Sequence, residues 1–396
     1  MKYLRNVKIE KIRNKTCVLR LGLDIKDGEL KNSLRVIKSI PTLKFLLKND
    51  CKVVIISHRG RPQEGKEESE KRKVKREETL RSFVEIFEKL LKTKISFDDS
   101  FDFKKMSEKI KKLHSKSIVI VENIRLVKGE KDDNDKLGRE LASLGNFYVN
   151  DDFSTSHRKN ASLCAITKFT PSYVGLQFEE EIKNLDKVLK NQRKPVVLIV
   201  GGVKLSDKVG VIKNFLNKAD YVLTGGGVSN TFFAAKEIPV GDSLIDKEMM
   251  KMAKTLLKSK KIILPQDVRI KGKSILDIGD KTIEEYKKII EKAGTIIWGG
   301  PLGYFEDKKF AKGTFEIARA ILKSKAFCVI GGGETTVAFL KATRGLTRTS
   351  RRTTRKTVSV SQRSVGVGQR LFLSTGGGAM LEYLAGKKLP ALEALK

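Results

Sequence analysis

Cysteine, acidic charge and long apolar runs are scarce in this sequence, and each shortage closes off a class of protein. Only four cysteines, Cys17, Cys51, Cys164 and Cys328, occur in 396 residues. They lie far apart without CxxC spacing, which argues against a disulfide scaffold and reads as reduced thiols in a cytoplasmic protein. No stretch approaches 18 consecutive apolar residues, and the first apolar run is broken by Arg20 and Asp24, so neither a signal peptide nor a membrane span is expected. Acidic residues number 47 against 81 Lys and Arg, a net charge of +34. Zinc-finger spacing, an RNP-type aromatic run and basic-zipper heptads are all missing. The excess therefore reads as biased composition on solvated faces, not a specific nucleic-acid site, although non-specific, salt-sensitive affinity for polyanions is expected. A Walker A motif is absent as well: Lys271-Gly-Lys-Ser274 contains GKS, but Asp267 stands where the first glycine is required.

What is present is a repeated device. Five apolar strands in the second half run straight into glycine-rich turns: Val200-Gly-Gly-Val-Lys204, Thr224-Gly-Gly-Gly227, Trp298-Gly-Gly-Pro301, Ile330-Gly-Gly-Gly-Glu334 and Ser374-Thr-Gly-Gly-Gly378. Glycine lets a backbone N–H approach an anion closely, and a helix opening after the turn adds free N–H donors and the positive end of its dipole. The pattern implies an α/β protein that binds a nucleotide or phosphate at the C-terminal ends of its strands.

The length suits two domains. Short, β-branched apolar runs at Lys52–Ser57, Ser117–Val121, Pro195–Val200, Tyr221–Leu223, Lys261–Leu264, Thr295–Trp298 and Phe327–Ile330 read as strands covered on both faces of a parallel sheet. Helical stretches alternate with them, as at Val211–Leu216, Lys247–Leu257 and Thr282–Ala293. The fold class is therefore α/β, with two doubly wound, Rossmann-like parallel-sheet domains joined by a hinge helix. Ile182, Leu185 and Leu189 share one helical face and place that joining helix at 178–190, between an N-terminal domain at 1–177 and a C-terminal domain at 191–382. Residues 64–81 read as a charged surface loop and the start of a helix. From Arg344 to Arg370 there are eight Lys or Arg and no Asp or Glu. Residues 342–370 read first as an exposed, mobile insert, with a recombination scar or an anion-binding arm as alternatives.

In the first half the charged residues cluster beside strand ends. Ser57-His58-Arg59-Gly60-Arg61-Pro62 follows one strand, Arg125 follows another, Ser156-His157-Arg158 follows a third, and Arg35 opens a helix. Guanidinium groups bind phosphate and carboxylate in bidentate fashion, so several at successive strand ends suit a small, multiply charged substrate. In the second half, Lys204 and Lys208 stand four apart at an expected helix start, where both ammonium groups would share a face.

These motifs, in this order, resemble phosphoglycerate kinase along nearly the whole chain. The most specific segments are Ser57–Pro62, Val149-Asn-Asp-Asp-Phe-Ser-Thr-Ser-His-Arg158, Gly201-Gly-Val-Lys-Leu-Ser-Asp-Lys208, Trp298-Gly-Gly-Pro-Leu-Gly-Tyr-Phe-Glu306, and the two triple glycines leading to Glu334 and Ala379. The resemblance implies reversible phosphoryl transfer from 1,3-bisphosphoglycerate to ADP, giving 3-phosphoglycerate and ATP, with Mg2+ and a closing motion, in a cytoplasmic monomer. It assigns substrate binding to Gly22, Leu23, Asp24, Arg35, His58, Arg59, Gly60, Arg61, Arg125 and Arg158. Catalysis falls to Arg35, Lys204, Lys208, Gly376 and Gly377. Nucleotide binding falls to Gly202, Lys204, Lys208, Gly225, Gly226, Leu276, Gly300, Pro301, Glu306, Gly332, Gly333, Glu334 and Thr335, with Glu334 also the Mg2+ ligand. The C-terminal tail, about 383–396, is expected to pack back on the N-terminal domain. Phosphoryl transfer from an acyl phosphate needs alignment and charge stabilisation, not a general base, and no catalytic dyad is visible.

Four departures from the family pattern stand out. Gly22-Leu23-Asp24 replaces an Asp-Phe-Asn triplet in a slightly shorter loop. Gly299 replaces an asparagine, Glu334 an aspartate, and the insert before Leu371 enlarges a connection. A catalytically impaired relative that binds nucleotide or polyanions is the alternative these departures raise.

Overall fold

The computed structural model describes residues 1–62, 74–344 and 370–396. Most of the basic segment at 342–370, and part of the charged stretch at 64–81, lie outside the described residues. The chain divides into two compact units, Met1–Ile182 with Lys388–Lys396, and Lys183–Lys387.

The first unit is built on strands β1 (Thr16–Arg20), β2 (Lys52–Ile56), β3 (Ile95–Asp98), β4 (Ile118–Val121), β5 (Phe147–Asn150) and β6 (Ser172–Val174). They pair in parallel in the order β3-β4-β2-β1-β5-β6. The strands' apolar residues are largely buried, as continuous β-branched runs in a sheet covered on both sides should be. Helices α1 (Leu34–Lys48), α2 (Ser82–Leu91), α3 (Phe103–Lys111) and α4 (Asp135–Ala142) make the crossovers. The tail returns here: α13 (Pro390–Glu393) sets Ala391 against Leu163 and Cys164, and its N–H donates to the Ser156 carbonyl at 3.1 Å.

Helix α5 (Leu176–Lys190) runs across the division between the units and starts two residues before the expected 178. Its start is fixed by Asp151, whose Oδ1 accepts the N–H groups of Gln177 at 2.9 Å and Phe178 at 3.1 Å.

The second unit carries β7 (Val196–Val200), β8 (Tyr221–Thr224), β9 (Ile262–Ile263), β12 (Thr295–Gly299), β13 (Phe327–Gly331) and β14 (Leu371–Leu373), parallel in the order β14-β13-β12-β7-β8-β9. Its helices are α6 (Val209–Phe215), α7 (Gly226–Ala235), α8 (Met250–Leu256), α9 (Asp280–Lys292), α10 (Lys312–Lys323), α11 (Gly333–Thr343) and α12 (Gly378–Leu384). A separate antiparallel hairpin, β10 (Val268–Lys271) and β11 (Ser274–Ile278), turns at Gly272. The GKS triplet is thus a hairpin turn, not a phosphate loop. All five glycine turns lie at the C-terminal ends of parallel strands β7, β8, β12, β13 and β14.

Candidate active site

In the first unit the site begins with a buried arginine. Arg20 ends β1, and its guanidinium sits 3.0 Å from the Asp152 carboxylate, both side chains fully buried. It also donates to Ser162 Oγ at 3.1 Å, to Ser57 Oγ at 3.2 Å and to His58 Nδ1 at 2.8 Å. Because a guanidinium only donates, His58 Nδ1 must accept, and the ring's proton is on Nε2. Burial, then the nearby Arg20, Arg125, Arg158 and Arg35, hold His58 well below the usual imidazole pKa, so it is neutral. Its buried Nε2 has no hydrogen-bond partner among the described residues; the nearest carboxylate, Asp24, is 3.8 Å away.

Around this core stand further cations. Arg61, Arg125, Lys131, Arg158, Lys159 and Asn160 line a cavity of about 500 Å³. Arg125 is buried and its Nε lacks a partner among the described residues. Burial and then the positive charges of Arg158 and Arg20 push its pKa down to about 10, still cationic at neutral pH. Arg35 opens α1 and reaches the Asp24 carbonyl at 2.7 Å. Gly60 has φ +68, and its N–H donates to Asp24 at 2.9 Å. The cations outnumber the carboxylates beside them, which are Asp24, Glu130, Asp152 and, 3.7 Å from Lys159, Asp133. With donors left unused, they form a receptacle for an anion.

Two residues placed in the substrate set are turned inward. Arg59 is 1% exposed and donates to the carbonyls of Ile25 at 2.8 Å and Thr79 at 3.1 Å, while its guanidinium lies over the Phe83 ring. It staples the loop instead of facing the cavity. Leu23 is fully buried in the core, and its N–H goes to Ser57 Oγ at 3.1 Å. Gly22 is pressed against Asp152: a Cβ there would lie 2.6 Å from the carboxylate oxygen. Arg20 and Asp152 form the centre of this arrangement, although in sequence one only breaks an apolar run and the other is one residue of a longer motif. A charge ending a strand beside an Asp-Asp pair is the signal that points to them.

In the second unit the glycine turns divide into two kinds. A Cβ on Gly201 would lie 2.1 Å from the Pro301 carbonyl oxygen, and one on Gly227 would lie 2.2 Å from the Val203 oxygen. Those glycines let loops cross, and Gly202 and Gly226 seal the crossing by donating to the carbonyls of Pro301 at 2.8 Å and Leu302 at 2.9 Å. Gly300 belongs to the same kind; its N–H donates to Thr335 Oγ1 at 2.8 Å. At Gly333 and Gly377, by contrast, a Cβ would meet nothing within 4 Å among the described residues, although the φ of +52 at Gly377 favours glycine there on backbone grounds. These two positions open α11 and α12 toward free space. Gly332, just before α11, has φ +101, while the N–H of Gly376 is occupied by Ser374 Oγ at 3.0 Å. Gly225 closes β8 onto Leu302, Leu276 is half-buried on β11, and Glu306 is exposed in the turn after Phe305.

Lys204 and Lys208 do not share a helical face, because α6 starts only at Val209. The intervening residues form a turn whose Ser206 N–H is held by Asp246 at 2.9 Å, since Asp207 and Ser206 favour turns over helix interiors. Lys204 is exposed and Lys208 half-buried. Burial lowers the pKa of Lys208, with Asp207 and Glu334 pulling the other way, so Glu334 is close enough to act on it.

No group of three or more His, Cys, Asp or Glu able to hold a metal occurs among the described residues. A single carboxylate, Glu334, is exposed beside the open glycine at the start of α11. One carboxylate fits a hard cation that arrives with phosphate oxygens, not a cation caged by protein alone.

Comparison with known proteins agrees in both sequence and fold. Residues 7–387 match the family model of phosphoglycerate kinase. The chain belongs to the phosphoglycerate kinase family. It is 35% identical over 422 residues to the phosphoglycerate kinase of Finegoldia magna, covering 100% of this chain and 98% of that one. Among solved structures it is similar to phosphoglycerate kinase from Pyrococcus horikoshii, with a TM-score of 0.80 at 29% identity and coverage of 100% and 98%. The Coxiella burnetii enzyme superposes with a TM-score of 0.77 at 30% identity, covering 99% and 98%.

Proposed function

We propose that this member of the phosphoglycerate kinase family transfers a phosphoryl group reversibly between 1,3-bisphosphoglycerate and ADP, as a step of glycolysis. The observation that carries the reading, beyond family membership, is the cavity of Arg61, Arg125 and Arg158, with His58 close enough to feel two of those arginines. His58 Nε2 and Arg125 Nε are left without a partner among the described residues. That set matches the charge of a glycerate phosphate. Arg35, Arg61, Arg125 and Arg158 would bind it, neutral His58 would donate through Nε2–H, and Asp24 and Gly60 would shape the rim. In the second unit, Gly225, Gly226, Leu276, Pro301 and Glu306 would frame the nucleoside. Gly202, Gly300, Gly332 and Thr335 would hold the loops that frame its phosphates, and Lys204 and Lys208 would neutralise them.

Glu334 would hold Mg2+ together with the nucleotide phosphates, and the ion would supply positive charge to the transferring group. Gly333, Gly376 and Gly377 bring backbone and helix starts to the same phosphates, Gly376 through its fold more than its occupied N–H. Transfer in line requires donor and acceptor to meet, and α5, which spans the division between the two units, is the helix through which a closing motion would pass. We further propose that the protein works as a monomer in the cytoplasm. No helix among the described residues is long and apolar enough to cross a membrane. Nothing in the fold or the relatives favours an impaired relative.

The test is a coupled assay of the purified chain with 3-phosphoglycerate, ATP and Mg2+, reading NADH oxidation. Turnover at ordinary kinase rates supports the reading. Absence of turnover in a chain that still binds ADP overturns it.

A further inference from the structure

Position 22, where the family pattern has an aspartate, holds a glycine that its own backbone does not require. Gly22 is not among the glycines with positive φ. What excludes a side chain is another side chain. A Cβ on Gly22 would lie 2.6 Å from Asp152 Oδ1, 3.1 Å from Asp152 Cγ and 3.1 Å from Ser154 Oγ. No backbone atom is among these nearest neighbours, in contrast to Gly201 and Gly227.

The sheet register explains the meeting. Arg20 on β1 pairs with Asn150 on β5, and the Asp151 N–H extends the pairing by donating to the Arg20 carbonyl at 2.9 Å. Gly22 and Asp152 therefore each stand two residues beyond a paired position, on adjacent parallel strands. Residues two apart on an extended chain share a face, and neighbouring strands lie about 4.8 Å apart. A carboxylate from either position can enter the same space, but two would repel and could not both stay ionised.

The other acids nearby do not hold Arg20 directly. Asp152 is the one carboxylate in ion-pair contact with it among the described residues. Glu130 reaches it through Ser162 Oγ, which donates to Glu130 at 2.6 Å and accepts from Arg20 at 3.1 Å. Asp151 Oδ1 is occupied at the start of α5, and Asp24 lies 3.8 Å from His58 Nε2. Asp152 is itself fixed, since Ser154 donates to its Oδ1 and Thr155 to its Oδ2, each at 2.6 Å. Its side chain is fully buried, so it acts on substrate only through its neighbours.

We propose that Asp152 has taken over from position 22 as the counter-charge of Arg20, a positioning residue that acts through Arg20 on His58. Arg20 donates to His58 Nδ1 at 2.8 Å, which keeps the ring proton on Nε2, the nitrogen left without a partner among the described residues. The glycine at position 22 is then one half of an exchange and not a loss: the acid beside Arg20 is kept, and its source moves from the end of β1 to the end of β5. The kinetic part of this inference rests on the kinase reading; the exchange itself does not.

The experiment is a swap. Asp152→Ala and Gly22→Asp, alone and together, are compared with the parent in denaturant midpoint, in the imidazole 15N signals of His58 and in 3-phosphoglycerate turnover. Asp152→Ala leaves Arg20 buried and unpaired, and Gly22→Asp presses a second carboxylate on the first. Each alone should lower the midpoint, shift the His58 signals and raise the KM for 3-phosphoglycerate about 10-fold, with the KM for ATP unchanged. Together they should restore all of these toward the parent. Gly22→Asn/Asp152→Ala, which fills the space without charge, should not. A single variant that fails to fold beside a swap that folds supports the proposal. A swap that fails to fold, or does no better than the worse single variant, overturns it. So does equal rescue by the Asn version, or a His58 signal that Asp152→Ala leaves unmoved. If the parent lacks turnover the kinase reading falls, while the midpoint and the His58 signals still decide the exchange.

Discussion

The two units offer positive potential in opposite forms. The first concentrates it in side chains, with Arg20, Arg125 and Arg158 close enough to depress the His58 pKa together. The second supplies it mainly through backbone, with the unobstructed glycines Gly333 and Gly377 at helix starts. The difference has an energetic logic. Guanidinium groups packed together repel one another and need buried counter-charge, so the first unit depends on Asp152 for stability. Backbone N–H groups carry no net charge and need only space, so the second unit depends on the absence of side chains.

Removing the counter-charge relation should give the largest effect. Arg20→Ala leaves Asp152 buried and unpaired, at a cost of about 3–5 kcal/mol. Denaturant unfolding of the variant checks this. A midpoint unchanged from the parent would mean that the first unit does not depend on the pair.

Two buried carboxylates, Asp152 in the first unit and Asp277 in the second, behave oppositely. The contrast follows the cation and not the unit, since burial also pushes Asp151 in the first unit up to about 7. Burial raises the pKa of Asp152, but Arg20 and the hydroxyls of Ser154 and Thr155 outweigh it and hold it low. Asp277 in the second unit has no such cation in contact, and burial pushes it up to about 7. Its Oδ2 accepts the Gly313 N–H at 2.8 Å and its Oδ1 has no partner among the described residues. A raised carboxylate means the folded chain holds a proton that the unfolded chain has released, so this contribution to stability falls as pH rises from about 4 to about 7. Asp277→Asn should remove that loss. Its stability relative to the parent should rise by about 2–3 kcal/mol between pH 5 and pH 8. A pH-independent difference would show that Asp277 is ionised throughout.

The division of labour can be broken next. Arg125→Ala should cost about 1.5–3 kcal/mol of binding, roughly 10- to 150-fold in kcat/KM for 3-phosphoglycerate, with ADP affinity unchanged. Equal loss of both ligands would sink the assignment of one ligand to each unit. In the glycine turns, Gly201→Ala must displace the Pro301 carbonyl and should destabilise the fold by about 1–3 kcal/mol. Gly333→Ala, with nothing within 4 Å, should leave the unfolding midpoint nearly unchanged and raise the KM for ATP. Two substitutions of the same kind, one read in stability and the other in nucleotide affinity, separate glycines that serve packing from those that serve a ligand.

The sheets were legible in the sequence because a parallel strand buried on both faces is a continuous apolar run, and β7, β12 and β13 announce themselves that way. The glycine turns could be placed at strand ends for the same reason. Sequence could not tell Gly201 from Gly333, since the distinction lies in what another loop brings near. Nor could it tell Arg59 from Arg61: both stand in one motif, but Arg59 is consumed by Ile25, Thr79 and Ser82 from neighbouring segments, while Arg61 lines the cavity. The spacing of Lys204 and Lys208 suits a helix, but Asp246, about 40 residues away in sequence, holds the turn that keeps them off it.

The smallest effect concerns the departure at Gly299, where the family pattern has an asparagine. A Cβ added there would meet Leu381 Cδ2 at 3.4 Å, and the next atoms, the Gly331 oxygen and Met380 Cε, only at 4.0 Å. That is ordinary contact, so the position has room for a side chain, unlike the neighbouring Gly300 with its φ of +95. Gly299 ends β12 in the core of the sheet, where a residue other than glycine also restricts the unfolded chain. Gly299→Asn should therefore be neutral or slightly stabilising, and one added polar contact should lower the KM for ATP by a few-fold, about 1 kcal/mol. If nucleotide affinity stays unchanged while stability rises, the second unit binds through backbone alone at this strand end, and the contrast with the arginine-built first unit is sharper than the family pattern implies.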